Sequence, residues 1–252
     1  LFAQGSNPNF EWLHPKPFGA SVGWIKVWDA NNIYAVGSSG NFMKSTDGGL
    51  TFTVNPNAGV PNLSPNPTTQ DLRAAYFLNQ NLGYLCGYEG VTKTTDGGQT
   101  FTEVGPGNFP YTELRAIHFI NENTGFVLGS YDDAFAKTTD GGNTWTPIFD
   151  AAQSLAIGAL ALAPSNPSIL YVGTGESNLS ADSYVGVGIY RIDNADASPV
   201  LNGPINPPIS GTTCFFGRSV SKILVDPTNA ATIFVSTGTG VIGNPNGSPG
   251  GG

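Results

Sequence analysis

Apolar and polar residues alternate along this chain in short runs, each broken by a turn rich in Asn, Gly or Asp. Three runs make the pattern plain: WIKVWDANNIYAVGSSG from Trp24, LRAAYFLNQNLGYLCGYEG from Leu72 and LRAIHFINENTGFVLGS from Leu114. Each reads as a strand, a polar turn and a second strand bounded by glycine. A third strand enters a nearly constant ten-residue phrase (FMKST, VTKTT, FAKTT) and a fourth leaves it (TFTVN, TFTEV, TWTPIF). Each unit therefore holds four short antiparallel strands.

The phrase itself is KSTDGGLTFT at Lys44, KTTDGGQTFT at Lys93 and KTTDGGNTWT at Lys137, so the repeat lengths are 93 − 44 = 49 and 137 − 93 = 44 residues. Such periods belong to repeat architectures, and four strands per repeat make each unit one blade of a β-propeller. Two further units lack the phrase. AIGALALAP, SNPSILYVGTGE and VGIYRID, between Ala156 and Asp193, repeat the first three strands, and IDNADASP stands where the phrase would be, without its glycines. RSVSKILVDP and TNAATIFVSTGTG, from Arg218, repeat the first two strands, and the tail VIGNPNGSPGGG then takes the place of a loop.

The predicted fold is all-β, about four and a half blades of seven, with the chain ending inside a blade. The predicted organisation is an N-terminal segment over 1–20, then blades at about 21–56, 70–105, 113–150, 155–202 and 215–252. Blades bury their faces on neighbours. Two uncovered faces make the isolated chain sticky or marginally stable unless it closes early or meets a partner.

Composition narrows the function. Of 252 residues 39% are hydrophobic, enough for a core, while the 34 Gly and 19 Pro fit closely spaced turns. Charged residues are 11% and the net charge is −8, so the chain lacks the basic footprint that nucleic acid or an anionic membrane requires. No apolar run has the length of a membrane-spanning helix. The opening LFAQ followed by polar GSNPNF reads either as the end of a secretory signal or as an arbitrary start. Cys86 and Cys214 read as separate thiols, and neither they nor His14 and His118 have metal-ligand or catalytic spacing. No cofactor or metal is expected.

Written as spacing, the phrase is S/T-x-D-x-G-x-T-F/W: Ser45, Asp47, Gly49, Thr51 and Phe52; Thr94, Asp96, Gly98, Thr100 and Phe101; Thr138, Asp140, Gly142, Thr144 and Trp145. It resembles the Asp-box, or bacterial neuraminidase repeat, found in sialidases, sortilin, xyloglucanases and the photosystem II assembly factor-like propellers. Physically, the two glycines allow a tight corner, the carboxylate accepts N–H bonds across it, and the aromatic packs between sheets. Three identical aspartates in three successive units serve three identical corners, whereas catalysis needs unlike groups at one point. Asp47, Asp96 and Asp140 are therefore read as fasteners.

Candidate binding residues come from the start of the first strand. Arg73 in DLRAAYF and Arg115 in ELRAIHF hold one place in successive blades, and Arg218 in GRSVSKIL is read as its counterpart in the fifth unit. At a channel rim they grip a carboxylate or peptide terminus, or else they satisfy carbonyls and the nearby Asp71 and Glu113. The L-R strand and the K-T-T-D-G-G phrase most resemble the photosystem II assembly factor-like family. That resemblance implies a noncatalytic scaffold, secreted or on a bacterial cell surface or in the periplasm, binding a protein, a peptide or a glycan. The alternative is the N-terminal part of a glycoside hydrolase, xyloglucanase-like or sialidase-like. Its acids would be Glu89, Asp132, Asp133 or Glu176, none of them in the context that resemblance requires.

Overall fold

The computed structural model describes residues 21–59, 70–105, 109, 113–129, 135–175, 185–209, 211–215 and 217–239. The N-terminal segment 1–20, the tail 241–252, Asp132, Asp133 and Glu176 lie outside them. The chain divides into two compact units between Thr146 and Pro147.

The first unit is built from three sheets of four antiparallel strands in sequential order. The first blade holds β1 (Val22–Val27), β2 (Ile33–Gly37), β3 (Asn41–Ser45) and β4 (Thr53–Asn55). The second holds β5 (Leu72–Phe77), β6 (Gly83–Gly87), β7 (Gly90–Thr94) and β8 (Thr102–Val104). The third holds β9 (Leu114–Phe119), β10 (Gly125–Gly129), β11 (Phe135–Thr138) and the two-residue β12 (Thr146–Pro147). The meander expected from the alternation is therefore present, with the fourth strand kept short.

In the second unit β13 (Ile157–Ala163), β14 (Asn166–Thr174), β15 (Ile189–Asp193) and β16 (Val200–Ile205) form a complete fourth blade. Its corner uses different chemistry. Asn194 takes a positive φ of 53° where the other blades use glycine, and Arg191 clasps Asp193 at 2.7 Å. A small hairpin, β17 (Pro208–Ile209) with β18 (Thr212–Thr213), follows it. Apolar alternation gives no sign of this hairpin, whose strands are two residues each. The last sheet is the pair β19 (Arg218–Val225) and β20 (Ile233–Thr239).

The core lies between blades rather than within them. Tyr34, Val36 and Phe42 of the first blade meet Leu72, Ala75, Phe77 and Leu85 of the second. Tyr84, Cys86 and Val91 of the second meet Leu114, Ile117 and Phe119 of the third in the same way, and Tyr84 stacks on Phe119. In the second unit Tyr171 and Ile189 pack against Val220 and Ile223. Large aromatic and aliphatic side chains each contribute about 1.5–3 kcal/mol when buried, so these seams hold the sheets together.

Polar bonds repeat along the same seams. The Tyr34 hydroxyl donates to the Gln80 carbonyl at 3.0 Å, that of Tyr84 to Glu122 at 2.9 Å and that of Tyr171 to Ala230 at 2.8 Å. In each case a second-strand tyrosine reaches the turn between the first two strands of the next sheet. Phe126 holds this place in the third blade and has no hydroxyl to give.

Candidate functional site

Among the described residues, each repeated aspartate bonds only within its own corner. In the second blade the Thr94 hydroxyl donates to Asp96 Oδ1 at 2.8 Å and accepts the Gly98 N–H at 2.9 Å, while the Thr100 N–H and hydroxyl both donate to the Asp96 carboxylate. Ser45, Asp47, Gly49 and Thr51 repeat the arrangement, as do Thr138, Asp140, Gly142 and Thr144. The Thr51 and Thr100 hydroxyl and N–H bonds hold the carboxyls of Asp47 and Asp96 down at about 2. For Asp140 burial opposes ionisation, but the Thr144 bonds outweigh it and the carboxyl is again lowered. A carboxylate so firmly ionised and so fully used is a poor general acid.

The corner is also tied to its own blade and to the preceding one. The N–H groups of Gly48, Gly97 and Gly141 donate to Asn31, Asn81 and Asn123 in the first turn of the same blade at 2.9–3.0 Å. In the fourth blade Ala195 makes the equivalent bond to Ser168 at 2.8 Å. Lys44 lies 5.3 Å from the centre of the Tyr34 ring and donates to Gly97 across the seam at 3.4 Å. The three aromatics differ in depth: Trp145 is buried against Phe119 and Phe109, Phe101 packs partly exposed on Phe42, and Phe52 is half-buried at the open side of the first blade.

A second repeated device is a β-bulge near the start of the first strand. The pairing register slips by one residue at Gly23, Arg73, Arg115, Gly158 and Ser221. Bulges re-aim side chains, and nothing in the local sequence marks them. A β-carbon at Gly158 would lie 2.1 Å from the Val220 carbonyl oxygen, so that place admits no side chain. Arg73 and Arg115 do share one structural position, as the sequence implies. Arg218 does not share it: it opens β19 three residues before the bulge, and Ser221 takes the place of the two arginines. Arg218 belongs to the second unit and is exposed.

Arg73 and Arg115 converge on one acid. Arg73 Nε lies 2.6 Å from Glu113 Oε1, Arg115 Nη2 lies 2.8 Å from Glu113 Oε2, and Arg73 Nη2 lies 3.7 Å from Asp71. Burial works against the Glu113 charge, but the bonds and charges of Arg115 and Arg73 hold its carboxyl below the usual 4.5. The surrounding backbone is shared between blades: the Ser39 N–H, at a positive φ of 58°, donates to Asp71 Oδ1 at 2.7 Å, and Tyr88 pairs with Glu113. Glu89, with φ at 66°, accepts a long bond from Gln70. Two arginines thus face two acids, Asp71 and Glu113. The Arg115 side chain is still 60% exposed, so its guanidinium has a free edge to present.

Other candidate groups stay apart. His118 packs on Tyr76 with 4.2 Å between rings, and desolvation lowers its pKa from 6.5. Cys86 is buried and its thiol pushed up by burial. Among the described residues no group of three His, Cys, Asp or Glu is placed to hold a metal ion, and no helix is long and apolar enough to cross a membrane.

By sequence, no protein family matches the chain and no curated protein does. By structure, the chain is similar to YCF48 bound to D1 peptide, at 16% identity and a TM-score of 0.53 over 88% of this chain and 68% of that one. It is also similar to the GH74 xyloglucanase from Xanthomonas campestris, at 17% identity and 0.55 over 86% of this chain and 35% of that one. An ancestral GH74 enzyme aligns at 18% identity and 0.54 over 83% of this chain and 28% of that one. At such identities the likeness is one of fold, and the fold is that of a β-propeller of four-stranded blades.

Proposed function

We propose that the chain is a noncatalytic binding scaffold, secreted or displayed at a cell surface, that takes a protein or peptide ligand where Arg73 and Arg115 project. In this reading the T-x-D-x-G-x-T corners are Asp-boxes, structural parts of a photosystem II assembly factor-like propeller. The observation that carries it is the placement of two arginines on one bulge position in neighbouring blades, sharing Glu113 yet largely exposed. A ligand carboxylate competes with Glu113 for their bidentate edges, a geometry suited to a peptide terminus. The similar YCF48 structure, which holds a D1 peptide, supports a peptide as ligand.

The two GH74 neighbours support a second reading, part of a carbohydrate-active enzyme. Glycoside hydrolysis needs two carboxyls about 5–10 Å apart, one of them raised in pKa. Both readings are tested with one preparation. Peptides ending in a free carboxylate or an amide are titrated against the chain and against its Arg73→Ala, Arg115→Ala double variant, and xyloglucan, β-glucan and sialoside turnover is assayed in parallel. Carboxylate-dependent binding lost in the double variant supports the scaffold. Binding indifferent to both changes overturns it, and turnover abolished by Asp132→Asn or Glu176→Gln establishes the hydrolase.

A further inference from the structure

The turn between β6 and β7 stands beside the arginine pair and carries a side chain that its own architecture does not need. Tyr88 and Glu89 join Gly87 to Gly90. The Tyr88 N–H donates to the Asp71 carbonyl at 3.1 Å, and a β-carbon at Gly87 would stand 1.8 Å from that same oxygen, so the turn is pressed against the start of β5. On its other side Tyr88 pairs antiparallel with Glu113, at the entry to the third blade, which sets the two backbones about 5 Å apart. Both flanks of the turn are therefore held by described residues, and one of them is the acid that gathers Arg73 and Arg115.

The first blade shows what such a turn requires. Ser38 makes the equivalent bond to the Ser21 carbonyl at 3.0 Å, and Gly37 is pressed on Ser21 as Gly87 is on Asp71. A small polar residue serves there. In the second blade the place is taken by a tyrosine that is 38% exposed, the one exposed Phe, Tyr or Trp among the described residues of the first unit. Among the described residues no hydrogen bond or ring contact holds its side chain. A rigid ring left at the surface beside charged binding groups offers contact area at low entropic cost. Its neighbour Glu89 keeps a carboxylate at a φ of 66°, where glycine would be free of strain.

We infer that Tyr88 is the specificity-determining residue of the arginine site: it receives the side chain of the ligand's last residue, so that the site selects peptides ending in an apolar or aromatic residue with a free carboxylate. This rests on the carboxylate reading of Arg73 and Arg115 given above. A C-terminal residue carries its carboxylate and its side chain on one Cα, so the guanidinium that binds the first brings the second to the turn anchored on Glu113. An acidic last side chain meets the charges of Asp71, Glu89 and Glu113, whereas an apolar one gains by leaving water against the ring.

Calorimetric titration of the full chain with short peptides, identical except for a last residue of Phe, Gly or Glu and each made as free carboxylate and as amide, tests this. The carboxylate peptide ending in Phe should bind about tenfold more tightly than those ending in Gly or Glu. That ratio should collapse in Tyr88→Ala and persist in Tyr88→Phe, which keeps the ring. Tyr88→Ser, which installs the residue of the first blade's turn, repeats the loss and guards against a badly folded alanine variant. Carboxylate-dependent binding with no preference for Phe, an equal affinity for the peptide ending in Glu, or a preference that survives both Tyr88→Ala and Tyr88→Ser overturns the role of Tyr88 and leaves the arginine site standing. Amides that bind as well as carboxylates, or no binding of any peptide, overturn the arginine reading and this inference with it.

Discussion

Gly98 in the corner of the second blade lies so close to Phe42 of the first that an added β-carbon would stand 2.1 Å from the ring. Gly142 repeats the relation more loosely, at 2.9 Å from Val104, and Gly49, with no described blade before it, meets Ile33 at 3.4 Å and Phe52 at 3.9 Å, both of its own blade. All three have positive φ. Backbone strain is therefore common to the three corners, while the steric demand comes from the neighbouring blade.

That difference predicts graded costs. Gly49→Ala should lower unfolding free energy by about 1–2 kcal/mol through positive-φ strain alone. Gly98→Ala adds overpacking against Phe42, a further 1–3 kcal/mol or about that. Urea denaturation of the two variants compares them directly. Equal losses would mean that Phe42 yields freely and that the second glycine is kept for the turn alone.

The carboxylates of the corners make stability fall in acid. Unfolded aspartates titrate near about 3.9, whereas Asp47 and Asp96 are held at about 2 and Asp140 is lowered too. Their contribution is complete above the unfolded value and is lost as pH drops from about 4 towards 2. Melting temperatures between pH 6 and pH 2 should show this slope in the wild type. Asp96→Asn should melt a few degrees lower at pH 6 and show a shallower slope, since one of three such groups no longer titrates.

Tyr84→Phe should cost about 1 kcal/mol, because it removes the bond to the Glu122 carbonyl and leaves that oxygen short of a donor. The ring stays and keeps its stacking on Phe119. The effect is measured by chemical denaturation, and a neutral result would mean that water replaces the hydroxyl at the seam.

The aspartates, glycines and aromatics of the repeated phrase are legible in the sequence because they recur at fixed spacing and each has one local task. The tyrosine hydroxyls are not, since Tyr34, Tyr84 and Tyr171 look like any apolar strand residue until the next sheet is in place. Nor are the bulges. An inserted residue has no composition of its own, and for that reason the first-strand arginine of the last sheet reads as Arg218, three residues from the true place at Ser221. Glu113 reads from sequence as one of two acids near the arginines; that both arginines share it follows only from the approach of β5 to β9.

The shared Glu113 leads to a prediction in which stability and binding move in opposite directions. Arg73 reaches Glu113 from the neighbouring blade, whereas Arg115 is two residues away along the chain, in the strand that Glu113 precedes. Replacing Glu113 with Gln removes an interblade pair and leaves two guanidinium groups facing each other. Exposed pairs contribute only about 0.2–1 kcal/mol, so Glu113→Gln should be mildly destabilising, and more so at low salt. The same change releases both arginines from Glu113, leaving Arg73 only its longer contact with Asp71, and removes a competing carboxylate, so a peptide with a free C-terminus should bind several-fold more tightly to Glu113→Gln than to the wild type. Calorimetric titration at two salt concentrations, with melting curves alongside, reads both quantities. If binding weakens together with stability, Glu113 positions the arginines for the ligand rather than competing with it.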